Sequence, residues 1–310
     1  ADIPQIGVGS WDLLVSPKNT TASIKAALQL GFRHVDTAKA YDNQVAVGKG
    51  IKEGLEAVGV KREEIWVTSK LFNDMHDKVE EAYNQTLKEL GLEYLDLYLM
   101  HWSAGQPGGK GPHIFDYVEV WQNFPLAFIE SYSMHSATWQ QMEKLVEDGR
   151  VRKIGICNFA PSELFRLLRS AKIKPYVHQF ELHPYLQQRW WEEWHKANGI
   201  KVTGYSPLGN TNPIYKGRSI ENGDARDPHT SSIAERRGCT TAQVALAWGM
   251  KRGHVVIPKS SHEAYHKENW ASLGCVEKLD FQDLKEIEYI GNRWLHRFNN
   301  PAKTWGVHLF

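Results

Sequence analysis

From one end to the other this chain repeats a single unit: a short apolar run of strand length, then a longer stretch with helical periodicity. The apolar runs are IGVGSW, HVD, IWVTSK, LDLYLMH, KIGICNF, YVHQFEL, KVTGYSP and HVVIPKS. Between the first two, TASIKAALQLG puts Ile24, Ala27 and Leu28 on one helical face and ends on Gly31, suited to a left-handed helix stop. VEEAYNQTLKELG repeats the pattern with Val79, Ala82, Leu87 and Leu90 before Gly91. Continuous apolar strands separated by amphipathic helices indicate a parallel sheet covered on its outer face. Eight such units in 310 residues predict one α/β domain over 1–310, a closed (β/α)8 TIM barrel. A doubly wound open sheet is the competitor. It advertises a G-x-G-x-x-G turn after its first strand, and none follows IGVGSW.

Two segments break the repeat. Ser103 to Ala137 reads as a long loop after the fourth strand, with PGGKGPH and the aromatics Phe115, Tyr117, Trp121, Phe124, Phe128 and Tyr132. The tail after Gly291 carries Trp294, Phe298, Trp305 and Phe310. Loops of that length are usually lids or binding loops. A loop leaving a barrel strand lies on the catalytic face, and the C-terminal loop is expected over the same face.

Lys+Arg 37 against Asp+Glu 36 leaves no basic footprint for nucleic acid or an anionic membrane. The apolar runs are too short to span a bilayer, and ADIPQIGVGS has neither the basic nor the apolar region of a signal peptide. Cys157, Cys239 and Cys275 are odd in number and lack a C-x-x-C pair, which predicts free thiols in a reducing cytosol. Asn-x-Thr triplets at Asn19 and Asn84 point the other way. Such triplets arise often by chance and Asn84 sits in a helical pattern, so a cytoplasmic protein is expected.

The chemistry concentrates in the first third. Asp36, Lys70 and His101 each close an apolar run, and Tyr41 follows Asp36 in the loop leaving its strand. An ammonium beside a phenol favours the phenolate and eases proton donation. Asp36 can balance Lys70, and His101 can orient a substrate oxygen. The set suits protonation of a carbonyl oxygen while another agent attacks the carbon. Singly, each residue has a plainer explanation: a structural ion pair, a core histidine, a loop tyrosine. Their convergence on successive strand ends favours the catalytic one.

GFRHVDTAKAYDN, WVTSKL, LDLYLMHW, VRKIGICNF, HQFELHPYLQQ, GYSPLG and VVIPKSS resemble, in order and spacing, the successive motifs of the aldo-keto reductase family. The resemblance runs from about residue 5 to 290. It implies a (β/α)8 barrel and hydride transfer between NAD(P)H and an aldehyde or ketone, with no metal. Tyr41 would be the general acid/base, tuned by Lys70 and Asp36, with His101 positioning the carbonyl. Asn158 and Gln179 would hold the nicotinamide carboxamide, with Cys157 where many members have serine. Tyr205 would stack on the nicotinamide, and Ser206 and Leu208 would line the pyrophosphate path. Lys259, Ser260 and Ser261 would hold the 2′-phosphate at a helix start, and Glu268 and Asn269 the adenine. A capping box, Ser260-x-x-Glu263, accounts for the same serine structurally. Trp11 and Trp102 match aromatic positions of the substrate pocket.

Departures from the family pattern sharpen the expectations. Tyr265 stands where NADPH-preferring members carry an arginine, which leaves NADPH the expected cofactor and NADH a possible one. Gln44 replaces a usual glutamate and Ser103 a common proline. The chain starts at IPQIGVG without the hairpin that commonly seals the barrel floor. The expected partner is a small carbonyl compound, on a monomer or weak dimer that binds neither nucleic acid nor membrane. Two other classes fit less well. One is a catalytically weak cofactor-sensing or structural barrel. The other is a glycosidase using Asp36 and Glu181, although Glu181 belongs to the cofactor-side motif and Lys70 explains Asp36 better.

Overall fold

The apolar runs become strands because both of their faces are buried. β3 (Trp66–Leu71) and β4 (Leu95–Met100) have no exposed residue, which only a sheet covered on both sides allows. In the computed structural model, which describes residues 2–11, 17–103, 124–209 and 228–299, eight strands pair in parallel in chain order. The others are β1 (Val8–Gly9), β2 (His34–Asp36), β5 (Val151–Cys157), β6 (Val177–Glu181), β7 (Lys201–Tyr205) and β8 (Val255–Val256). The ring closes where Ile6 bridges Val256 and the Gly7 amide donates to the Val256 carbonyl at 2.8 Å. Gly9 belongs to this seam: a Cβ there would stand 2.9 Å from the Ile257 carbonyl oxygen.

Helices α1 (Pro17–Leu30), α2 (Gln44–Val58) and α3 (Val79–Leu90) follow the first strands and present the predicted faces. Ile24, Ala27 and Leu28 are fully buried. Gly31 and Gly91 take positive φ where their helices stop. Along β4 the side chains alternate. Tyr98 and Met100 join the large layer against the helices, while Leu97 and Leu99 join a smaller cluster with Ile3, Val177 and Val255. Away from the site, the buried Asp96 is held by Arg62 at 2.8 Å, Arg152 at 2.7 Å and the Val67 amide at 2.9 Å.

Two expectations need correction. The long connection after β4 is not a loop to Ala137, because α4 runs over Phe124–Glu147. Residues 104–123, with Phe115, Tyr117 and Trp121, lie outside the described residues, as do Trp305 and Phe310. Cys239 and Cys275 are also not free thiols: they form a disulfide, with Cα atoms 6.4 Å apart, and only Cys157 stays reduced. The free-thiol argument for a reducing cytosol therefore fails. Separations along the sequence do not report Cα distances in space, and those distances decide pairing. Asn19 and Asn84 are both exposed. No described helix is long and apolar enough to cross a membrane.

The remaining helices are α5 (Pro161–Ser170), α6 (Arg189–Ala197), α7 (Pro228–Arg237), α8 (Thr241–Lys251), α9 (Glu263–Ala271) and α10 (Phe281–Arg293). Parallel strands bring their C-terminal ends to one rim, and there the candidate residues gather.

Candidate active site

Asp36 ends β2, Lys70 lies one residue before the end of β3, and His101 directly follows β4. Tyr41 reaches them from a short 3₁₀ turn, Lys39–Tyr41. The Lys70 ammonium donates to Asp36 Oδ1 at 2.6 Å, to the Thr37 carbonyl at 2.9 Å and to Tyr41 Oη at 3.1 Å. Lys70 and Asp36 are both buried. The His101 ring meets the Tyr41 ring edge-on with centroids 5.8 Å apart, and Phe72 and Trp102 flank it at 6.0 and 6.4 Å. The four predicted residues are thus brought together.

Burial dominates their protonation. It pushes the Tyr41 phenol up to about 12, against the opposing pull of the Lys70 charge. It holds His101 well below the ordinary histidine value, with Lys70 adding to the effect, so the imidazole is neutral at pH 7. For Lys70 burial works against the charge, but Asp36 and Tyr41 more than offset it and the ammonium persists. At neutral pH the site therefore holds a neutral phenol, a neutral imidazole and a fixed cation.

Around this group stand the residues expected to hold a nicotinamide. Gln179 donates from Nε2 to Asp36 Oδ2 at 2.8 Å, which leaves its carbonyl oxygen as an acceptor beside Cys157. Burial pushes the Cys157 thiol up, so it stays protonated. Asn158 adopts a left-handed backbone (φ 57°) and donates from Nδ2 to the His101 carbonyl at 3.2 Å. Tyr205 ends β7 half-buried and donates from its hydroxyl to Asn158 Oδ1 at 2.9 Å. Ser206 is a second left-handed non-glycine residue, at φ 49°. Such conformations gather at ligand sites. Leu208 packs at the edge of the main core.

The phosphate end is built differently from the capping-box expectation. Helix α9 is capped at His262, not Ser260, and no side chain caps it. Ser260 Oγ instead accepts from the His262 amide at 3.0 Å, so the box is not formed. Ser260 is buried, Lys259 half-buried and Ser261 exposed. Without a side-chain cap, the first-turn amides of α9 remain available to an anion. Asn269 is buried, and the Glu268 carbonyl accepts from Gln243 at 3.2 Å. Tyr265 is 57% exposed, so its ring is open to stacking. Tyr205, Lys259, Ser260 and the uncapped first turn of α9 are the groups that would hold a dinucleotide. Trp102 is buried and Trp11 half-buried.

The departures find local partners. Gln44 accepts from Ser69 at 2.6 Å and donates to Glu89 at 2.9 Å. Ser103 donates to Glu163 at 2.6 Å.

Sequence reasoning missed the part played by Glu181 and Asn299. Glu181 accepts from the Phe298 and Asn299 amides, each at 2.7 Å, and Asn299 Nδ2 donates to the Tyr205 hydroxyl at 2.9 Å. The available signal was a carboxylate closing the strand VHQFE.

A closed parallel barrel with an acid–lysine–tyrosine–histidine set at its C-terminal rim defines a class: barrel oxidoreductases acting on carbonyl or alcohol groups. Residues 5–292 match the model of the aldo/keto reductase family, and the chain belongs to that family. It is 41% identical to an uncharacterized oxidoreductase of Schizosaccharomyces pombe, covering 97% of this chain and 88% of the relative. It is 35% identical to an NAD(P)H-dependent D-xylose reductase of Scheffersomyces stipitis, covering 97% and 94%. Its fold superimposes on an aldose reductase of Schistosoma japonicum with a TM-score of 0.82 at 31% identity, covering 100% and 95%. The family supports NAD(P)H-dependent reduction of carbonyl compounds.

Proposed function

We propose that this chain, acting as one domain, reduces aldehydes to alcohols with NADPH as the favoured cofactor and NADH as an alternative. Tyr41 is the proton donor in this reading. The observation that carries it is the saturation of Lys70, whose three N–H groups go to Asp36, Thr37 and Tyr41. Because Lys70 can only donate, Tyr41 Oη accepts from it and keeps its own proton for a substrate oxygen.

The nicotinamide, when bound, supplies the hydride to the carbonyl carbon. The carbonyl π pair then resides on oxygen, and an alkoxide is a far stronger base than a phenolate. The Tyr41 proton therefore moves downhill even from a phenol pushed up to about 12. Lys70 stabilises the phenolate left behind. Neutral His101 donates to the same oxygen and orients it, and it is not the acid because it carries no extra proton at pH 7. Asn158 and the Gln179 carbonyl would hold the carboxamide, and Lys259 and Ser260 the phosphate. With Tyr265 in place of an arginine there is no bidentate clamp at that position, which supports tolerance of NADH.

Trp11 and Trp102 offer apolar walls suited to aliphatic, aromatic or small sugar-derived aldehydes. The name of the xylose reductase relative supports a sugar aldehyde.

Tyr41→Phe is expected to lower kcat by a factor of about 10²–10⁴ and leave NADPH binding intact. Turnover retained in that variant would remove Tyr41 from its role. Tight NADPH binding with no oxidation across an aldehyde panel would favour the cofactor-sensing alternative.

A further inference from the structure

Glu181 is a buried carboxylate at the end of β6, with no part in proton transfer. Burial works against its charge, but the hydrogen bond with His183, 3.0 Å away, and that of the Phe298 amide hold the carboxyl below its ordinary range. Both oxygens face the C-terminal tail: Oε1 takes the Phe298 amide and Oε2 the Asn299 amide. The loop that follows Glu181 completes a cradle for the same segment. The Tyr185 carbonyl accepts from the His296 amide at 2.9 Å, and the His183 ring packs on Phe298 with centroids 5.2 Å apart.

From Asn299 a line of hydrogen bonds runs back into the rim, all in one direction. Asn299 Nδ2 donates to Tyr205 Oη, Tyr205 donates to Asn158 Oδ1, and Asn158 Nδ2 donates to the carbonyl of His101. The tail thus reaches the ring expected to face the nicotinamide, and through it the strand end carrying His101.

We propose that Glu181 is a positioning residue which, by holding the backbone of Phe298 and Asn299, seats Asn299 on the Tyr205 hydroxyl and so fixes the surface on which the nicotinamide rests. This rests on the reductase reading above, in which Tyr205 faces the cofactor. A carboxylate suits the task because its two acceptor oxygens match two consecutive amides. In glutamine one of those atoms would be a donor facing a donor. The latch acts on cofactor retention and leaves the proton donor untouched.

Tryptophan fluorescence quenching during titration with NADPH, and separately with NADH, reads cofactor affinity without turnover. Asn299→Ala and Tyr205→Phe should each raise the dissociation constant about fivefold, the worth of one hydrogen bond, and Glu181→Gln by at least as much. Because the three residues act through one latch, Glu181→Gln combined with Asn299→Ala should weaken binding no more than the larger single change. KM for the cofactor should rise in each variant, while the pH dependence of kcat keeps its midpoint. A folded Glu181→Gln protein binding within about twofold of the parent, or a double variant whose losses multiply, would overturn the proposal. Should Glu181→Gln fail to fold, the Asn299→Ala and Tyr205→Phe pair carries the same test. A parent protein that binds neither nucleotide would sink the reductase reading and the latch with it. A parent that binds, paired with an indifferent Glu181→Gln, would sink the latch alone.

Discussion

Lys70 is the residue on which the rim depends, and its burial makes it costly to alter. Its ammonium is sealed from water and every donor is used, so the site tolerates no other head group of similar size. Lys70→Met would leave the Asp36 carboxylate buried, with the Gln179 amide still donating to it but no cation beside it. An uncompensated buried charge costs about 3–5 kcal/mol, so denaturant unfolding should report a loss of that order. Adding Asp36→Asn should recover part of it, since no charge is then stranded. A Lys70→Met protein as stable as its parent would contradict this account of the pair. The Tyr41 phenolate would also lose its stabilising cation, so turnover should fall together with stability.

Among elements, α10 and the loop between β6 and α6 fit with unusually little clearance. Gln187 sits between them, donating to the Pro184 carbonyl at 2.9 Å and the Ile287 carbonyl at 2.6 Å. Gly291, in α10, lies so close that a Cβ would stand 2.5 Å from Gln187 Nε2 and 2.7 Å from the Pro184 oxygen. Alanine is ordinarily the better helix former. Here Gly291→Ala should destabilise by about 1–3 kcal/mol, because a backbone carbonyl must give way. Gly274→Ala, where a Cβ meets nothing within 4 Å, should be neutral or slightly stabilising. Chemical denaturation of the two variants checks the contrast, and equal effects would contradict it.

The strands and the α1 and α3 faces were legible because one-dimensional periodicity records burial. Asp36, Lys70 and His101 were legible because each closes an apolar run. Helix α4 was missed at its start because aromatics and Pro125 after a glycine-rich stretch look like a loop locally. The disulfide, the unformed box at Ser260 and the Glu181–Asn299 contact are facts about distance in space, which spacing along a chain does not carry.

At the scale of the whole molecule, buried histidines set the response to acid. Burial lowers His34, His195 and His266 to about 4 and holds His178 and His101 well below the ordinary value. His178 and His195 are bonded to each other at 2.8 Å, with Trp191 and Phe159 at the two ends. The unfolded chain takes up protons on these groups near the ordinary histidine value of 6.5, whereas the folded chain keeps His34, His195 and His266 neutral down to about 4, and His178 and His101 neutral well below 6.5. Across that window the unfolded state binds more protons, so stability rises with pH and is lost as pH falls from 6.5 toward 4. Each such histidine contributes about 1.4 kcal/mol per pH unit. Melting temperatures at pH 7, 6 and 5 should therefore fall steadily, and a flat profile would contradict the account.

The barrel's seam has a consequence for how the molecule opens. β1 and β8 are each two residues long, and the ring closes beside them through the single bridge of Ile6 to Val256, residues far apart along the chain. The circumference therefore closes late, since nearly all the chain must be in place before Ile6 can meet Val256. The same brevity makes the seam the cheapest place to break. Amide protons at Gly7 and Gly9, which cross it, become natural reporters of a ring that unlatches as a slot before it unfolds as a whole.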